Sequence, residues 1–131
     1  PPAAARLLAG PVPSAAAEFR DIELASMAVV ALALPPDTRL PESSGVLIAS
    51  GERHDDGTLF TAKAFTFSSR KWSHHAHDGA PVLVRGSVGR FGQAEMLRVR
   101  DDELVRRVRA DLAELTGVTA APVGSPVTRW G

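Results

Sequence analysis

The sequence predicts an α+β fold: a mainly antiparallel sheet of about five strands, one long amphipathic helix and short N-terminal helices. Three observations carry this. The apolar, β-branched segments come in a run joined by hairpin-length turns, which is the pattern of an antiparallel sheet. One segment alone, residues 101–115, repeats its apolar residues at three- and four-residue spacing. The chain has 131 residues and no cysteine, so it is expected to form a single domain, 1–131, without disulfides or thiolate metal sites.

Each element has a local reason. Pro1 to Ala9 suits a short helix, because proline in the first turn lacks only a donor that would go unused, and Gly10-Pro11 end it. Ser14 is placed to cap a second short helix from Ala15 to Arg20. Ser26 to Leu34 (SMAVVALAL) is apolar on both faces and reads as a strand covered on two sides. Pro35 to Ser44 is a polar loop. Gly45 to Ser50 is a strand, Gly51 to Gly57 a turn with Asp56-Gly57 as its hairpin signal. In Leu59 to Phe67 the alternation sets Phe65 and Phe67 on one face, with Phe60, Ala62 and Ala64 on the other. Ser68 to Ala80 is a His-rich loop, and Pro81 to Arg90 a strand with proline at its first position.

Asp101 to Leu115 is the long helix. Asp101 is expected to cap it, and Asp102 and Glu103 suit its positive end. Leu104, Val105, Val108, Leu112 and Leu115 form the apolar stripe. The spacing lets Glu103 meet Arg107, and Arg107 meet Asp111, on the wet side. Gly117 fits the left-handed stop, and Val127 to Trp130 opens a last strand.

Composition removes several classes of function. Fifteen basic and fifteen acidic residues leave no net charge, so a general nucleic-acid partner is not expected. The longest apolar run, Met27 to Leu34, is far short of the roughly 20 residues of a membrane span, so contact with a membrane is at most peripheral and a cytoplasmic location is expected. The start at Pro1-Pro2 and the stop at Trp130-Gly131 suggest a piece of something longer.

Local chemistry is sparse. His74, His75, His77 and Asp78 are metal-ligand types, yet adjacent histidines in an extended chain point apart, and a polar hairpin loop accounts for them. Ser68 and Ser69 near those histidines lack a G-x-S-x-G elbow. Gly86, Gly89 and Gly92 lack the first spacing of the dinucleotide fingerprint and fit a strand end that approaches another backbone, then turns. Arg85, Arg90, Arg98 and Arg100 flank those glycines; their planar forks suit carboxylates, and surface ion pairs are the commoner use. Trp72 and Trp130 suit a core rim or a pocket wall. Gly45-Val46-Leu47 sets an apolar edge directly after a flexible glycine. Taken alone, these residues describe a soluble α+β domain with no self-contained active site.

Six blocks in order resemble one family: ASMAVVALAL (25–34), GVLI (45–48), TFSSRKW (66–72) with His74, VRGSVGRFG (84–92), DDELVRRVRADLAELTG (101–117) and VTRW (127–130). Together they are similar to the flavin-dependent protoporphyrinogen/coproporphyrinogen oxidases, relatives of the FAD-linked amine oxidases. The resemblance implies an FAD enzyme of heme biosynthesis that takes six electrons and six protons from a porphyrinogen and passes them to oxygen as peroxide. This chain would be the middle, substrate-binding part. The FAD-binding domain would lie outside it, and the isolated piece would be inactive.

By the same resemblance Gly45, Val46 and Leu47 match the segment lining the tetrapyrrole pocket, and Trp130 matches the Arg-Trp that approaches the flavin. No catalytic residue and no metal are implied here. Ser73 departs from the family's Lys-Trp-Pro-His pattern, and His75 and His77 are outside it. The implied partners are the tetrapyrrole, oxygen, the remainder of the parent flavoenzyme and, for that parent, a second copy in a homodimer. Two alternatives stay open: a piece of another FAD-linked amine oxidase relative, or a stand-alone non-catalytic binding module.

Overall fold

The computed structural model describes all residues, 1–131. Helices α1 (Pro2–Leu8) and α2 (Pro13–Arg20) come first, each with proline in its opening turn. They pack on each other through the small side chains Ala5 and Ala16, both buried and both outside the main core. Strands β1 (Met27–Leu34), β2 (Gly45–Leu47), β3 (Ala62–Phe67), β4 (Val82–Val88) and β5 (Val127–Trp130) form one sheet in the order β2-β3-β4-β1-β5. Every neighbouring pair is antiparallel, as the run of strands predicts. A one-turn helix α3 (Ser68–Lys71) and a 3₁₀ turn interrupt the His-rich loop, which was expected to be irregular throughout. Helix α4 (Asp101–Thr116) follows β4 and leads to β5 on the far edge.

Helix α4 lies on one face of the sheet. Leu104, Val108 and Leu112 are fully buried there against Ala28, Val30, Leu32 and Leu34 of β1, Phe65 and Phe67 of β3, and Val84 and Val88 of β4. Gly86 of β4 makes the close fit possible. A Cβ on it would sit 2.5 Å from Val108 Cγ1 and 3.1 Å from Phe65 Cε1, inside contact distance. Gly89 ends the strand at φ +97°, where a Cβ would meet the Ser26 carbonyl at 2.6 Å. That is the close approach and turn its spacing implies.

Several local expectations are corrected. The α2 helix starts at Pro13, with Val12 in the cap position, so Ser14 is already inside it; locked φ at Pro13 begins the turn early. Asp101 does not cap α4: extended Arg100 does, without a side-chain acceptor, and Asp101 pairs with Arg129 instead. Strand β2 stops at Leu47, and β3 begins at Ala62 rather than Leu59. A bulge between Ala62 and Ala64 flips the alternation, so Ala62 joins Phe65 and Phe67 on the core face.

The second face of β1 is not covered as expected. Ala31 and Ala33 remain partly exposed, and only 22 of 131 residues are buried. All four core-cluster residues of β1 lie on the α4 side, so the sheet has one packed face and one open one.

Candidate functional site

The open face is built by alternation. Strand pairing assigns to it Met27, Val29, Ala31 and Ala33 from β1, and Leu83, Arg85 and Ser87 from β4. It adds Ala64 and Thr66 from β3, Gly45 and Leu47 from β2, and Thr128 and Trp130 from β5. Small side chains floor the middle. Leu47 is 88% exposed on one edge strand and Trp130 52% exposed on the other. Four strand spacings of about 4.8 Å put those edges about 19 Å apart.

The structure therefore brings Gly45, Leu47 and Trp130 to one face, at its two margins. Val46 points the other way and packs against the core, so only its backbone borders this face. Gly45 is held by space: a Cβ there would lie 2.1 Å from the Phe65 carbonyl oxygen. Cross-strand register sets Gly45, Thr66, Arg85 and Ala31 in one row, with Leu47, Ala64, Ser87, Val29 and Thr128 in the next.

Arg85 is the one ionisable side chain that the pairing assigns to this face. It is exposed and enters none of the chain's ion pairs or side-chain hydrogen bonds. The other three arginines of its sequence cluster are occupied. Arg90 donates to the Ile48 carbonyl at 2.6 Å, Arg98 pairs with Glu95 at 2.9 Å, and Arg100 pairs with Asp102.

The remaining polar groupings are structural. His54 Nε2 meets Asp111 Oδ1 at 2.8 Å, while Nδ1 meets Glu114. Asp111 Oδ2 accepts the backbone N–H groups of Thr61 at 2.9 Å and Ala62 at 2.6 Å. Phe60 stacks on the imidazole at 4.0 Å. Burial lowers the pKa of His54, but the two carboxylates outweigh it and the net direction is up. Burial pushes the Asp111 carboxyl up, and the N–H groups and His54 pull it only partly back. Both imidazole nitrogens face carboxylates, an arrangement that favours the doubly protonated, positively charged ring. Every partner belongs to the cluster, which ties the 52–62 hairpin to α4 and leaves no group free for a substrate. Sequence reasoning set Asp111 on the wet side facing Arg107. It is 1% exposed, and Arg107 bonds only Glu103. The signal was present: 111 falls in the 104–108–112 stripe.

A hollow of about 580 Å³ lies between residues 36–42 and the His-rich loop. Within that loop the His74 ring lies tilted against His75 at 4.1 Å and tilted toward Trp72 at 6.3 Å, and the acidic and imidazole side chains do not gather into a metal-ligating group. Ser69 Oγ accepts the Leu83 N–H, a strand-end bond rather than a nucleophile's arrangement. Nor do the glycines of 86–92 cradle a phosphate. Two are used in close backbone and helix packing, and no parallel strand pair is present to carry a dinucleotide turn.

A family model for flavin containing amine oxidoreductases matches residues 1–131, and the chain belongs to that family. Within it, the chain is 45% identical to coproporphyrinogen III oxidase of Mycobacterium leprae, over 98% of this chain and 27% of that protein. It is 43% identical to the enzyme of that name from Mycobacterium tuberculosis, over 98% and 26%. The Bacillus subtilis protein of the same name is 28% identical over 88% and 24%. A crystal structure from Exiguobacterium, assigned as a protoporphyrinogen oxidase, superimposes with a TM-score of 0.72 at 23% identity, over 95% of this chain and 26% of that one. That likeness shows the α+β fold. The chain thus spans about a quarter of the length of the curated relatives it matches. No helix is long and apolar enough to cross a membrane.

Proposed function

We propose that this chain is the sheet-bearing, substrate-binding part of an FAD-dependent oxidase that converts coproporphyrinogen III to the porphyrin with oxygen. The observation that carries the reading is the open face itself. A flat, largely apolar surface with exposed Leu47 at one margin and exposed Trp130 at the other suits a flat macrocycle, and a soluble domain keeps such a surface for something to cover it. The names of the relatives favour coproporphyrinogen III over protoporphyrinogen IX.

In this reading Gly45, Leu47 and the backbone at Val46 form one wall of the pocket, and Trp130 stands toward the flavin. The flavin site lies almost wholly in the remainder of the parent, because residues 1–131 contain no phosphate cradle. Loss of six electrons and six protons by the substrate is balanced by three O₂ reduced to three H₂O₂, and the flavin supplies the two-electron chemistry. What these residues contribute is binding, orientation and exclusion of water. We place the enzyme in the cytoplasm, at most resting on a membrane surface; no helix of this chain is long and apolar enough to cross a membrane.

The test uses the full-length flavoenzyme, read by porphyrin fluorescence and by peroxide. Turnover of coproporphyrinogen III is expected, and the isolated 131-residue chain with added FAD is expected to give none. Leu47→Asp changes an 88% exposed side chain and should leave the fold intact. A charge against an apolar ligand should lower kcat/KM by about tenfold or more. Unchanged kinetics in that variant would remove Leu47 from the pocket. Failure of the wild-type enzyme to oxidise any porphyrinogen would overturn the reading.

A further inference from the structure

Resting on the pocket just proposed, we infer that Arg85 is a specificity-determining residue: its guanidinium binds a carboxylate of the substrate. The chain has thirteen arginines, and four cluster at 85–100. Three of those four are held by Ile48, Glu95 and Asp102. Arg85 alone has no partner, and it rises from the central strand β4 on the open face, away from α4. Its neighbours across the strands are Ala31 and Thr66, with neither a carboxylate nor bulk to screen it.

Position supports the assignment. Gly45 shares Arg85's row two strands away, about 10 Å distant, and Leu47 lies one row further, about 12 Å from it. An arginine side chain covers much of that gap. A macrocycle lying against Leu47 would therefore bring a peripheral carboxylate to the guanidinium. The planar fork of arginine binds a carboxylate through two parallel N–H···O bonds, and a site partly closed by apolar surface strengthens them. The ligand class is a tetrapyrrole bearing propionate groups.

The experiment compares R85Q, R85K and the control R20Q in the full-length flavoenzyme, after checking flavin content and melting temperature. Arg20 is exposed on α2 and removes the same charge elsewhere. Substrates are coproporphyrinogen III and its tetramethyl ester; binding is read separately with coproporphyrin III and its ester. With R85Q, KM and Kd for the free acid should rise on the order of tenfold or more, with kcat nearly unchanged. R85K should fall between, because it keeps charge and loses the fork. The ester should be indifferent to R85Q, and R20Q should match wild type.

Equal losses for acid and ester, or a lowered melting temperature with unchanged KM, would overturn the inference. The latter would assign Arg85 to contact with the rest of the parent. An active wild-type enzyme whose R85Q variant keeps its KM sinks Arg85 alone. An enzyme inactive on porphyrinogens that still binds coproporphyrin III through Arg85 sinks only the proposed reaction. Absence of both activity and binding sinks both.

Discussion

His54 holds each ring nitrogen against a carboxylate, and that favours its charged form. Its pKa is raised in the folded chain, so folding favours the protonated form. The contribution is complete below about pH 6.5, where the unfolded imidazole is also protonated, and fades as pH rises through the native value. Asp111, pushed up by burial, adds a fall of the same sign that begins at lower pH, from about pH 4, where the unfolded carboxyl ionises first. The urea midpoint should therefore decline between pH 6 and pH 8, and His54→Gln should flatten much of that decline. Asp111→Ala should lower stability by about 3 kcal/mol, since it strands the N–H groups of Thr61 and Ala62 and a protonated His54. A flat pH profile in the wild type would overturn the charge assigned to His54. The glutamate beside Arg106 and Arg107 differs: Glu103 is held at about 2, but these are surface pairs, with Arg106 exposed and Glu103 and Arg107 only partly covered, and Glu103→Gln should change stability little.

At the scale of elements, α4 and the sheet meet at Gly86. The helix presents Val108 directly to a strand position with no side chain, and Phe65 closes the contact from the side. Gly86→Ala should destabilise by about 1–3 kcal/mol, because the new methyl overlaps Val108 Cγ1. Val108→Ala removes that methyl and leaves a void. The double variant should be less damaged than the sum of the two, a coupling that a double-mutant cycle reads directly. Strict additivity would mean that the helix shifts rather than locks. Nothing in the residue order announces this pairing: the glycines of 84–92 suggest close approach, and the stripe on α4 suggests a packed face, but no local signal joins them. The bulge near Lys63 was equally hidden, because an extra residue in a strand leaves no mark on composition.

For the molecule as a whole, the open face and the unpaired edges of β2 and β5 dominate. Exposed Leu47 and Trp130 on unprotected edge strands favour association with other chains. The isolated 131-residue chain is expected to bind ANS and to sediment as oligomers at micromolar concentration. In the full-length enzyme the same residues should be protected from hydrogen exchange. A strictly monomeric, ANS-negative isolated chain would argue that this face needs no cover, and would weigh against a pocket there.

Much of the fold was legible in the residues. Periodicity depends only on local geometry, so the five strands, the long helix and its stop at Gly117 could be read along the chain, while the family likeness came from the resemblance of six ordered blocks. Boundaries slipped where a proline or a bulge reset the backbone. Which side chains share a face depends on register, and register is settled only when strands pair. That is why Val46 separates from Gly45 and Leu47, why Asp111 leaves the wet side for His54, and why one of four similar arginines is free. The sequence by itself determined the class of fold and the kind of protein. The tertiary structure decided that one sheet face stays open and that Arg85 stands unpaired upon it, because pairing partners 17 to 103 residues away set where each side chain points.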